Sequence, residues 1–168
     1  LTVYEITRPK ILSGEWKINC TKLDKEYSID YNFVTPTLLQ DTSKNPIGKI
    51  FSDKTFSLRR RIDLTTKASI VRTVWNYNLR TFPIEGGSDI QGFDKINWIW
   101  KKIGFNTKLV LEDVETGEKL AEFDRKRFST KYIGDISIFK DLPEDINWLI
   151  VFSGSYCVKM IKNEEKSI

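Results

Sequence analysis

Histidine is absent from the 168 residues, which removes the side chain that most often serves as general acid or base near neutral pH. Cysteine occurs twice, at Cys20 and Cys157, in a spacing that fits no metal site. Free thiols in a reducing compartment are expected, and without histidine neither has the partner that would make it a nucleophile. A glycine-rich phosphate loop, a nucleophile elbow, an internal repeat and a low-complexity segment are all missing. Asp and Glu are scattered over polar faces, and Glu112, Asp113 and Glu115 read as the solvated arm and turn of a hairpin. No catalytic residue, metal ligand or cofactor is expected, and the chain reads as non-enzymatic.

Charge of one sign is also scarce. The 27 Lys and Arg stand against 23 Asp and Glu, a formal net charge of +4, short of the density that argues for nucleic acid. The opening "LTVYEITRPK" has no apolar core followed by a small-residue cleavage site, so no secretory signal is expected. No apolar run reaches the roughly 20 residues of a spanning helix. The longest, "INWLIVFSGSYCVKMI" at 146–161, contains Lys159. With 40% hydrophobic and 30% charged residues, a single globular domain over 1–168 is expected, cytoplasmic or peripheral to a membrane.

What the chain does have is period-two alternation. In "KTFSLRRRIDL", Phe56, Leu58, Ile62 and Leu64 share one face, with Arg59 and Arg61 on the other. "ASIVRTVWNYNL" places Val71, Trp75, Tyr77 and Leu79 together, and "KINWIWKKIGF" alternates Ile96, Trp98 and Trp100 with Asn97, Ile99 and Lys101. Between them, "FPIEGGSDIQGFD" reads as a loop able to hold a partner by strand addition. "TKLVLEDVETGEKLAEFDRKR" is the clearest hairpin, turning at Gly117. "GDISIFKDL", "TVYEI", "EWKIN" and "YSIDYNF" add strands, for eight to eleven that can be picked out.

The apolar 146–161 stretch has helix boundaries: Glu144 and Asp145 precede it and lysine follows, as the helix dipole favours. Its apolar side chains surround the helical projection, so such a helix has to be enclosed. A hairpin turning at Ser153-Gly154-Ser155 is the alternative. As a helix, sixteen residues reach about 24 Å, close to a strand of seven or eight residues, so one helix could line the inside of a barrel.

"NWIWKK", "KLVLEDVETGEKLAEFDRK", "GDISIF" and "EDINWLIVFSGSYCVKMI", in that order, resemble the tubby C-terminal-like fold shared by tubby-like proteins, phospholipid scramblases and the plant LURP-one-related proteins. The resemblance covers residues 95 to 161. It implies a mainly β fold, a closed antiparallel barrel of about 8–12 strands around a central apolar C-terminal helix, over about 144–162. A second resemblance, Gly14-x-Trp16, is similar to the first-strand signature of lipocalins and implies a carrier for a small apolar ligand.

A barrel filled by its own helix moves function to the outside. Two basic clusters stand out, Arg59-Arg60-Arg61 and Arg125-Lys126-Arg127 with Lys131, and Lys101-Lys102 could lie near the second. Arg60 falls in register with core residues, which requires a carboxylate, a bulge or a place at the barrel rim. Arginine forks match phosphate geometry. Tubby-like domains bind phosphoinositides through basic surface residues and scramblases act at membranes, so the resemblance implies an anionic phospholipid or phosphoinositide as ligand. A protein-interaction scaffold is the alternative.

Overall fold

The computed structural model describes residues 1–10, 14–23, 25–31, 36–52, 58–105 and 107–166. Among these residues twelve strands follow one another: β1 (Thr2–Thr7), β2 (Glu15–Cys20), β3 (Lys25–Asp30), β4 (Thr37–Gln40), β5 (Pro46–Phe51) and β6 (Arg60–Thr65) form the first half. The second half is β7 (Ile70–Trp75), β8 (Thr81–Ser88), β9 (Ile96–Ile103), β10 (Lys108–Asp113), β11 (Lys119–Arg125) and β12 (Tyr132–Ile138), and helix α1 (Glu144–Lys166) ends the chain. Each strand pairs antiparallel with the next, and β12 pairs with β1, so the sheet closes. Alternation drives this. On β2, Trp16, Ile18 and Cys20 are buried while Glu15, Lys17 and Asn19 face outward, and a curved sheet that buries one face completes itself by leaving no edge.

Closure removes the exposed edge on which a partner could add a strand, so the strand-addition route has no place among the described strands. The barrel interior belongs to α1, which is buried on all sides from Ile146 to Val158. That overturns the open, lipocalin-like interior and the hairpin alternative at 153–155. Trp16 lies on the second strand, packed edge-on against Tyr31.

Several local expectations are corrected. The segment read as a loop from Phe82 contributes β8, with Phe82 and Ile84 fully buried. Pro83 is tolerated there because its carbonyl accepts from Asn76 N (3.0 Å), just past the end of β7, where its missing donor breaks no bond within the ladder. The short β4 and the Pro- and Gly-bearing β5 have no counterpart in the sequence reading. Leu58 and Leu79 leave the core faces on which alternation placed them and stand exposed in turns, while Phe56 lies outside the described residues. The hairpin at Gly117 (φ 73°) is as expected.

The helix is longer than 144–162. Its 23 residues reach about 34 Å at 1.5 Å per residue, beyond any of the strands, so its last turn emerges from one end with Glu164, Glu165 and Lys166 exposed. At the other end Asp145 anchors it: Oδ2 accepts from Thr66 Oγ1 (2.6 Å) and from Ser69 Oγ in the β6–β7 turn. Hydrogen bonds to a charged group contribute about 1.5–3 kcal/mol. Asp145→Ala is therefore expected to lower stability by about 2 kcal/mol in urea unfolding, and an unchanged midpoint would remove the anchor.

Candidate anion-binding end of the barrel

In an up-and-down barrel the last residues of odd strands and the first residues of even strands share one end. The C-terminus of α1 emerges there too, because the helix starts from the opposite end, after β12. Among the described residues, the turns at this end carry Arg8, Lys10, Arg59, Arg80, Lys126, Arg127 and Lys131, and no Asp or Glu. The opposite turns are mixed, with Asp41, Asp89, Asp94, Glu115 and Glu118 alongside Lys22, Lys44, Lys67 and Lys95. The last turn of α1 adds Lys166 and the exposed Glu164 and Glu165, so a net charge of +4 conceals a barrel with one predominantly basic end.

The residues singled out in the sequence divide into three groups. Arg59, Lys126, Arg127 and Lys131 are exposed in the turns of this end. Arg61 and Lys101 are exposed on the outer wall, where Lys101 pairs with Glu112 at 2.8 Å. Arg60, Lys102 and Arg125 turn inward at the mouth. Arg60 takes the rim position, one of the three alternatives its register left open, donating from Nη1 to Arg59 O (3.1 Å) and bonding to Tyr156.

Lys102 and Arg125 are corrections to an outer-surface placement. Lys102 sits 5.6 Å from the ring centroids of both Tyr77 and Phe82, with Glu164 4.0 Å away. Arg125 is 6% exposed and paired with Glu165 at 2.8 Å. The reason is register: Arg125 follows Ala121 and Phe123 on the inward face of β11. It closes the mouth onto the last turn of α1 instead of facing solvent.

Between that helix end and β4–β6 lies a cavity of about 490 Å³, lined among others by Tyr31, Ile50, Arg60, Tyr156, Lys159 and Met160. Lys159 places its ammonium 5.4 Å from the Tyr31 ring and 5.7 Å from that of Trp16. Burial, and then repulsion from Lys166, Arg8 and Lys162, holds its pKa below the ordinary lysine range. Lys162 is lowered too, first by burial and then by Arg125 and Arg8, with Glu165 opposing. A bound anion would offset this crowding of positive charge. The Tyr31 hydroxyl is buried without a hydrogen-bond partner, and burial pushes its pKa well above the usual value. Burial also raises Tyr156, against the pull of Arg60.

The cavity therefore combines two cations, a donor with no partner and modest apolar surface, which suits a polar anionic group rather than a hydrocarbon. Lys159 had a signal in the sequence, as the one charged residue in 146–161. Tyr31 and Tyr156 had none, because their juxtaposition depends on the barrel closing. Among the described residues no cluster of His, Cys, Asp or Glu could hold a metal ion. Both cysteines are buried and free; Trp75 Nε1 donates to Cys157 Sγ (3.3 Å), whose thiol burial pushes far above its usual pKa.

No helix among the described residues is long and apolar enough to cross a membrane. No family model and no curated protein matches this chain. The X-ray structure of a protein from Arabidopsis thaliana does match, over 92% of this chain and 90% of that one, with a TM-score of 0.53 and 15% identity. At that identity the likeness is one of fold, and the chain has a barrel related to that of the plant protein.

Proposed function

We propose that this protein is a non-enzymatic module of the tubby-like superfamily that binds an anionic membrane surface or phosphoinositide headgroup through the basic end of its barrel. The observation that carries this reading is the convergence of basic turns, separate in sequence, on one end that lacks acidic turn residues and holds a polar cavity with Arg60 and Lys159. Lys and Arg near an anionic bilayer contribute about 1 kcal/mol each. Headgroup-sized ligands fit cavities of roughly 300–1,000 Å³, a range that includes this one. The closed barrel around a C-terminal helix supports the superfamily assignment, and peripheral attachment at the cytoplasmic face of a membrane accords with both.

The test is co-sedimentation with phosphatidylcholine vesicles, alone or with phosphatidylserine or a phosphoinositide, at low and high salt. Binding is expected only to the anionic vesicles and is expected to weaken with salt. Arg60→Gln with Lys159→Gln is expected to cut phosphoinositide binding roughly tenfold or more, through lost charge-assisted hydrogen bonds. Equal binding to neutral vesicles, or none to any, would remove the reading.

A further inference from the structure

This end carries a second feature that electrostatic attraction does not use. Four of its turns, three of them basic and all consecutive around the rim because β5 to β12 are neighbours in order, each present a large apolar side chain to solvent. These are Leu58 before Arg59, Leu79 before Arg80, Phe105, and Phe128 after Arg127, exposed by 66%, 79%, 89% and 102%. Arg127 Nη1 donates to Phe105 O at 2.9 Å, tying two of the tips together.

Leu79 adds an independent sign. It occupies a tight turn in which Asn78 and Thr81 exchange backbone hydrogen bonds of 2.9 Å, and it adopts φ 54°. Glycine, asparagine or aspartate ordinarily fills such a position, and a bulky aliphatic residue there is strained. Strain at an exposed apolar tip points to a use for the side chain itself. At the opposite end Leu1, the first residue, is 69% exposed, but the apolar side chains in its turns, Leu23, Val114 and Phe139, are less exposed than the four tips and share their end with acids.

We infer that Leu58, Leu79, Phe105 and Phe128 enter the interfacial layer of an anionic bilayer while the neighbouring arginines and lysines contact its phosphates. This deepens the membrane reading above and rests on it. Successive turns at one end are two strands apart, roughly 10 Å. Side chains so spaced, with cations between them, do not form the contiguous packed centre of a protein interface. A fluid layer accepts them singly, and the charge alternation matches lipid phosphates over acyl chains.

Because Cys20 and Cys157 are buried, a cysteine introduced by Phe128→Cys or Phe105→Cys takes a polarity-sensitive fluorophore selectively, with Val114→Cys at the opposite end as control. Adding phosphatidylcholine/phosphatidylserine vesicles is expected to brighten and blue-shift the label at 128 and 105 but not at 114. Phe105→Ser with Phe128→Ser is expected to weaken vesicle binding roughly a hundredfold, tenfold for each ring withdrawn from the bilayer. Undiminished, salt-sensitive vesicle binding with silent labels would overturn insertion and leave electrostatic adsorption standing. Absence of vesicle binding by the unaltered protein would overturn both, as would capture of an oligonucleotide or a protein through these tips in place of vesicles.

Discussion

Replacing Arg59, Lys126, Arg127 and Lys131 together by alanine is expected to weaken binding to anionic vesicles about a thousandfold. Each contributes about 1 kcal/mol beside a charged bilayer, and four such terms sum to about 4 kcal/mol. All four are exposed in turns of the basic end, and exposed substitutions ordinarily shift stability by no more than about 0.5 kcal/mol. The loss should therefore be mainly of affinity, with the protein still folded and its stability lowered by no more than about 2 kcal/mol. Salt should mimic it in the unaltered protein. Arg125→Ala is the contrast: this buried arginine holds Glu165, so its removal is expected to lower stability by about 1–3 kcal/mol. Unimpaired vesicle binding by the fourfold variant would show that the basic end does not face the membrane.

Trp100→Ala is expected to destabilise the protein by about 3–5 kcal/mol, a large share of the 5–15 kcal/mol typical of a domain. Trp100 is fully buried, and its Nε1 donates to Ser153 Oγ at 3.0 Å, which fixes the ring across the helix. A Cβ at Gly154 would lie 2.7 Å from Trp100 Cζ2 and 3.0 Å from Cη2. Two effects then oppose each other in Gly154→Ala. Helix propensity favours alanine by about 1 kcal/mol, whereas overpacking against a pinned ring costs about 1–3 kcal/mol. Destabilisation is expected in the unaltered protein. With Trp100→Ala in place the clash is gone, and the same Gly154→Ala change is expected to stabilise. A double-mutant cycle in urea that fails to show this reversal would mean that Trp100 and Gly154 do not meet.

The helix illustrates what was legible beforehand. Acidic residues at its start and apolar side chains around its whole circumference required enclosure if it was a helix, and strands alternating at period two offered a wall; the closed barrel itself was what the resemblance implied. Two strands with Pro and Gly inside them did not show. β5 includes Pro46 and Gly48, and β8 includes Pro83, Gly86 and Gly87. These residues have low strand propensity, but in a closed sheet tight contacts overrule it. At Gly86 a Cβ would lie 2.1 Å from Arg72 O, and at Gly48 2.3 Å from Leu64 Cδ2. Alternation also overran the strand ends at Leu58 and Leu79, because a periodic pattern has no means of marking where pairing stops.

The candidate site was legible only as a list of cations. From the sequence by itself came the alternating strands, the apolar helix that needs enclosure and the two basic clusters, because each depends on neighbours along the chain. Which cations are exposed, and that they converge, depended on strand direction and register. Antiparallel order carries the start of β6 and the ends of β9 and β11 to one end, separates them from the acidic turns, and turns Arg60, Lys102 and Arg125 inward while Arg59, Lys126, Arg127 and Lys131 stay outside. The cavity beside Lys159 arises in the same way, from a helix longer than the strands that enclose it.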